Sequence, residues 1–308
     1  MTELAIVMYH YVRPIADSDT PNLRGLELDG FRRQLDFLSS NYTVVTAQHL
    51  LRAIREGESL PENACWLTFD DGYRDHYEFV LPELLDRKLQ GTFFPPRAAV
   101  EDRQLLDVNA IHHILEKCSE PKVLVAAIHK RLLDQGATKN DISAYKERYM
   151  RANRFDDADT IYVKRMLQHA LPSETREGLL EDLIQKFLKR SSYDLADQLY
   201  MTIEELKQMI ADGMFVGSHG SVHQWLDQMD PGSQERDIEA SIQFLNRLGA
   251  GSRDWIMCYP YGAYSDDTLS IIERLGAAAG VTTKVAKADL KNDNPLLLPR
   301  FDTNDFPQ

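Results

Sequence analysis

Two adjacent carboxylates, Asp70 and Asp71, end the apolar run Leu67-Thr68-Phe69 and lead into Gly72. Neighbours on an extended strand point to opposite faces, but at a turn both can converge, so that one can bind a metal while the other faces a water. The same letters also make an ordinary turn, because Asp and Gly are common turn formers. A second segment, Val216-Gly217-Ser218-His219-Gly220-Ser221-Val222-His223, again begins at the end of an apolar run. Two His four apart on a helical turn project to one side and can share a cation; alone they could equally cap a helix or sit at the surface. One Asp with two His is a three-ligand set that leaves coordination positions open for water, as a catalytic metal site requires. A third segment, Met257-Cys258-Tyr259-Pro260-Tyr261-Gly262, ends a strand in an aromatic-Pro-aromatic-Gly turn. Such a turn can aim a backbone N–H into a site as an oxyanion donor or act as a rigid loop.

These segments need a scaffold that brings them to one place, and the hydrophobic pattern supplies it. Leu4–Met8 reads as a strand buried on both faces, Phe31–Leu38 as a helix, Tyr42–Val45 as a strand and Ala64–Phe69 as another. Thr46 is an expected N-cap for a helix reaching Glu56. A helix through Phe79–Leu89 stops before Gly91, and Thr92–Phe94 is again strand. After a break the rhythm resumes with helix Ile203–Ala211, strand Met214–Gly217, helix Gln234–Leu248 entered through Asp230-Pro231, and strand Trp255–Tyr259. Helix Ser265–Leu275, strand Ala277–Thr282 and a last strand Leu296–Phe301 complete it. Alternation of this kind predicts an α/β fold with a parallel sheet or barrel inside and helices outside. Between about 102 and 198 the alternation stops, and a Leu-, Lys- and Glu-rich stretch with helical spacing reads as an insertion within a single 1–308 domain. His112 and His113 fall in it and read as packing or solvent residues.

Composition narrows the class. The chain has 308 residues, 43% hydrophobic, enough to bury a full core. A formal net charge of −13 excludes a general nucleic-acid binder, which needs Lys and Arg to neutralise phosphates. Cys65, Cys118 and Cys258 lie far apart without a CxxC pair, so reduced, buried thiols are expected. No apolar stretch approaches the roughly 20 residues of a membrane span. The N-terminus lacks the basic and apolar regions of a secretory leader, which predicts a cytoplasmic protein.

The three motifs, in this order and with these letters, resemble the polysaccharide deacetylases of carbohydrate esterase family 4, the NodB-homology family. The resemblance covers the first and last hundred residues, not the middle. It implies a distorted (β/α) barrel of about seven parallel strands with a mostly helical insertion. It also implies a hydrolase acting on linear amide C–N bonds, which takes an N-acetyl or other small acyl group from a sugar or glycan. By the resemblance Asp70 is the general base, Asp71, His219 and His223 hold one divalent metal, and the Tyr261 amide is the oxyanion donor. The metal is expected to be zinc, with cobalt, nickel or iron as alternatives, since two His and a carboxylate suit several first-row metals.

Two family features are missing. Cys258 replaces the Arg that often precedes the Pro-Tyr of the third motif, and no Leu-x-His follows Gly262 to provide a general acid. Met8-Tyr9-His10 looks like the start of circularly permuted members of the family, which puts the acid on His10. Arg300, in Pro299-Arg300-Phe301-Asp302, is the candidate to supply the missing guanidinium and orient Asp70, a surface salt bridge being its other reading. An ionised Asp70 with a protonated His10 gives a bell-shaped dependence of kcat/KM on pH. The expected substrate is an acylated sugar or oligosaccharide, free or nucleotide- or lipid-linked, on the way to surface polysaccharide. A non-catalytic carbohydrate-binding protein on the same fold is the alternative.

Overall fold

The computed structural model describes residues 3–251 and 253–307. Seven strands carry the site: β1 (Glu3–Tyr9), β2 (Ala64–Asp70), β3 (Thr92–Phe94), β4 (Phe215–Val216), β5 (Ile256–Cys258), β6 (Ala279–Val281) and β7 (Phe301–Asp302). β1 pairs in parallel with β2, β2 with β3, and β3 with β4. A parallel bridge from Ser218 to Met257 carries the ring from β4 to β5, and β5 pairs with β6. A second bridge, Val281 to Leu298, leads towards β7, which pairs in parallel with β1 and closes the circle. The expected α/β barrel of about seven parallel strands is what the chain forms, and it is distorted because two of its junctions shrink to single bridges. Ala288–Asp289 adds an antiparallel edge to β1.

Alternation along the strands sorts the core. Leu67 and Phe69 pack outward with Phe31 and Leu35 of the helix Leu28–Asn41, while Trp66 joins Leu4, Ile6, Phe94, Ile256 and Val281 in a second cluster. Asp70 shares the parity of Trp66 and Thr68, so β2 delivers its carboxylate to the same side as these two residues.

Most elements fall where the pattern puts them. Thr46 caps Ala47–Glu56 by accepting from the His49 amide, and Asp230 and Ser265 cap the helices Pro231–Leu248 and Asp266–Arg274. Three expectations change. The helix expected over Phe79–Leu89 starts earlier, with a wide turn His76–Val80 before Leu81–Asp86. The last strand is shorter than Leu296–Phe301, because Asn294 accepts from the Leu296 amide and winds Pro295–Leu297 into a 3-10 turn. The His219–His223 segment is not helical: Gly220 (φ 68°) and His223 (φ 53°) turn left-handed.

Two compact units divide the chain. One comprises 1–18, 25–104 and 197–308 and contains the barrel; the other comprises 19–24 and 105–196. The second is built from helices, among them Asp107–Lys117, Pro121–Asp134 and Ser173–Leu188. His112 and His113 lie on the first of these, His113 buried. The cysteines Cys65, Cys118 and Cys258 are all buried and free. No helix among the described residues is long and apolar enough to cross a membrane.

Candidate active site

β2 ends at Asp70, and the chain then turns through Asp71 (φ 72°) and Gly72 (φ 69°). A Cβ on Gly72 would meet Pro95 at 2.9 Å, so both backbone angle and space call for glycine here. The turn lets two consecutive carboxylates serve one site. Asp70 and Asp71 are both buried, at 2% and 3% exposure.

Arg300 lies fully buried against Asp70. Its Nη1 and Nη2 donate to the two carboxylate oxygens at 2.9 and 2.8 Å. Nη1 also donates to Thr68 Oγ1, Nη2 to Cys258 Sγ, and Nε to the Thr282 carbonyl. The five N–H groups of a guanidinium thus meet five acceptors, a set that lysine could not satisfy. Cys258 is the sulfur wall of this cradle, and burial pushes its thiol pKa up. Burial also pushes the Asp70 carboxyl up, but the Arg300 guanidinium, with His219 beside it, outweighs this and holds Asp70 below the usual carboxylate range.

Asp71 faces the two histidines. Its Oδ1 lies 3.4 Å from His219 Nε2 and 3.3 Å from His223 Nε2, yet has no hydrogen-bond partner. Ligand atoms about 2.0–2.1 Å from a tetrahedral ion sit about 3.3–3.4 Å from one another, so this triangle fits a zinc-sized cation. The outer contacts suit ligation as well. His219 Nδ1 lies 2.7 Å from the Cys258 carbonyl, and a proton donated there leaves the Nε2 lone pair facing Asp71. Tyr73 donates its hydroxyl to Asp71 Oδ2 at 2.5 Å. Burial lowers the His223 imidazole pKa, which keeps its lone pair available at neutral pH. Burial would raise Asp71, but its contacts with both histidines hold it well below the usual range. Asp70, His219 and Cys258 also lie close enough to form a donor group. They fit a cation poorly, since Arg300 already takes both Asp70 oxygens and the thiol is protonated.

The histidine loop is held from outside. Asp237, on Pro231–Leu248, accepts from the Ser221 and Val222 amides at 2.9 Å each, and Arg97 donates to Ser221 Oγ at 2.6 Å. Sequence reading missed Asp237, although a carboxylate four residues before Ser241 and seven before Phe244, on the buried face of a helix, was a readable signal. It also left out Tyr73, Thr68 and Trp225. Tyr261 sits in the turn Pro260–Gly262 with φ 59°, its ring 4.7 Å from His223 and stacked on Trp225 at 4.8 Å. His10, just past β1, puts Nε2 3.9 Å from Asp70 Oδ2 with its side chain 41% exposed. The structure therefore gathers Asp70, Asp71, His219, His223, His10 and Arg300, with Tyr261 against His223.

Fold and site together define a β/α barrel with an acidic and imidazole centre at its strand ends, the place where such folds build active sites. Residues 172–280 match the sequence model of the family described as polysaccharide deacetylase. YxkH of Bacillus subtilis (strain 168), provisionally named a polysaccharide deacetylase, is 29% identical over 89 residues, which are 29% of this chain and 32% of that protein. The match thus spans about a third of this curated relative. Similar folds occur in the Streptococcus pyogenes deacetylase PplD in complex with acetate (TM-score 0.60, 20% identity, 97% of this chain and 92% of that one). They also occur in IcaB from Ammonifex degensii (0.57, 17%, 97% and 91%) and a de-N-acetylase from Aggregatibacter actinomycetemcomitans (0.55, 13%, 98% and 95%). The chain thus resembles the polysaccharide deacetylases in sequence over residues 172–280 and shares its fold with solved deacetylases.

Proposed function

We propose that this chain is a metal-dependent hydrolase that removes an N-acetyl group from a carbohydrate. The observation that carries the proposal is the pairing of an Arg300-locked Asp70 with the adjacent triangle of Asp71, His219 and His223. A divalent cation held by these three would act as a Lewis acid on water and on the acyl carbonyl. Asp70, kept ionised by Arg300, takes a proton from the water as its oxygen attacks the carbonyl carbon. The Tyr261 amide donates to the oxyanion that develops there. As the C–N bond breaks, His10 Nε2–H gives its proton to the leaving nitrogen, so acetate and a free amine depart. The metal assignment is zinc, with cobalt, nickel or iron sharing the donor chemistry.

The test is acetate release from N-acetylated oligosaccharides alongside divalent-metal content. Asp70→Asn should abolish release while metal stays bound, and His219→Ala should lose both. Sugar binding without acetate release in the metal-loaded native protein would favour the non-catalytic carbohydrate-binding alternative.

A further inference from the structure

His10 stands beside Asp70, yet its own ring does little to keep it there. The parallel register that pairs Tyr9 of β1 with Phe69 of β2 brings the next residues, His10 and Asp70, out of the sheet side by side. Beyond the 3.9 Å approach of Nε2 to Asp70 Oδ2, the His10 ring makes no hydrogen bond or ion pair among the described residues, and its side chain is 41% exposed. The place of the ring is therefore set through its backbone.

The segment that follows Asp70 and Asp71 provides the hold. The Tyr73 ring stacks on Tyr11 at 4.1 Å. Asp75 accepts from the Val12 amide and, at 2.6 Å, from Arg13 Nε. His76 Nε2 lies 2.8 Å from the His10 carbonyl, and since a carbonyl can only accept, Nε2 carries the proton and donates it. The chain leaving β2 thus grips the chain leaving β1 at each residue from His10 to Arg13, and His76 is the member that reaches His10 itself. Its ring is fully buried among Phe69, Tyr73 and Phe93, with centroids 5.5, 5.6 and 5.7 Å away, and its Nδ1 has no hydrogen-bond partner. Burying an unsatisfied polar atom costs stability, so an aliphatic side chain would suit this aromatic surround better. What histidine adds here is the single hydrogen bond to His10.

Resting on the deacetylase reading with His10 as its proton donor, we infer that His76 is a positioning residue, which pins the His10 backbone so that the imidazole stands where the leaving nitrogen departs. A double-mutant cycle on acetate release from the β-linked tetramer of N-acetylglucosamine tests this. His76→Leu should lower kcat about tenfold with KM within about threefold, as expected when a proton donor is displaced and ground-state binding is not. Its metal content should match the native protein. In a His10→Gln background the same change should lower kcat by less than about twofold, because the group it positions is already gone. His76→Gln, whose side-chain amide can donate where Nε2 does, should recover kcat to within about threefold of native. An equal loss with and without His10, or no loss at all, overturns the inference while the deacetylase reading stands. Should His76→Leu fail to fold, Arg13→Gln, which loosens the grip of Asp75 from a partly exposed side chain, goes through the same cycle, and an equal loss in both backgrounds overturns the inference in the same way. If His10→Gln keeps native kcat, the proton-donor role falls and the positioning role with it. If metal-loaded native enzyme releases no acetate, the deacetylase reading falls as well.

Discussion

Arg300 grips both carboxylate oxygens of Asp70 across 230 residues of sequence, at 2.9 and 2.8 Å, inside the protein. The pair joins the approach to the last strand to the end of the second. A bidentate, charge-assisted contact of this kind fixes where the carboxylate points and which protonation state it holds.

Removing the guanidinium leaves burial as the leading influence on Asp70, and burial raises a carboxyl pKa. With Arg300 in place the acid limb of kcat/KM should lie below the usual carboxylate range, because a base with a lowered pKa stays ionised until lower pH. In Arg300→Met that limb should move up by about one unit or more. A pH–rate profile that keeps its acid limb in the variant would remove this role from Arg300.

His10 is the proposed proton donor to the leaving nitrogen. His10→Gln should lower kcat by about 10²–10⁴-fold, the usual worth of a general acid. Metal content should be as in the native protein, since His10 faces Asp70 and not the Asp71 triangle. Elemental analysis beside the kinetics checks both halves.

Much of this arrangement was legible from letters alone. Strand ends and caps announced themselves through local rules: Thr46, Asp230 and Ser265 each cap the helix their neighbours predict. Asp70, Asp71, His219 and His223 stood out because reactive side chains followed apolar strands. The shape of the histidine loop was not legible, because it depends on Asp237, which lies 16 residues beyond Ser221 and reaches back from a helix. Arg300 could be suspected only because Cys258 stood where a guanidinium was missed; its five-acceptor cradle draws on three different segments. The left-handed Tyr261 is likewise set by tertiary packing, with its ring wedged between His223 and Trp225.

Asp237 gives the loop its shape, so it should tune the proposed metal site without touching it. Asp237→Ala strands the buried Ser221 amide and its neighbour Val222, and should cost about 2 kcal/mol or more of stability. It should also weaken metal binding by about tenfold or more, as loss of an outer-shell support does. Asp237→Glu, retaining an acceptor, should recover part of the affinity. Metal titration with a competing chelator, read against unfolding by denaturant, separates the two effects. Native affinity in Asp237→Ala would show that His219 and His223 hold their geometry unaided.

His76 predicts how the fold responds to acid. It is fully buried, its Nε2 lies 2.8 Å from the His10 carbonyl, and burial lowers its pKa to about 4. In the unfolded chain an imidazole takes its proton near the ordinary value of about 6.5. Between these values the unfolded state binds the extra proton, so the stability contributed by neutral His76 is complete above about 6.5 and lost as pH falls to about 4. The loss amounts to about 3 kcal/mol. Asp75 beside it runs the other way: burial raises its carboxyl to about 6 despite Arg13, so the folded state gains as pH falls through the same window. The native protein should therefore show a shallow acid dependence that hides two opposed terms. His76→Gln removes one of them. Its stability deficit relative to native should shrink by up to about 3 kcal/mol between pH 6.5 and 4, measured by urea unfolding at each pH. A deficit that stays constant across that range would mean that His76 charges in the folded protein as readily as in the unfolded chain.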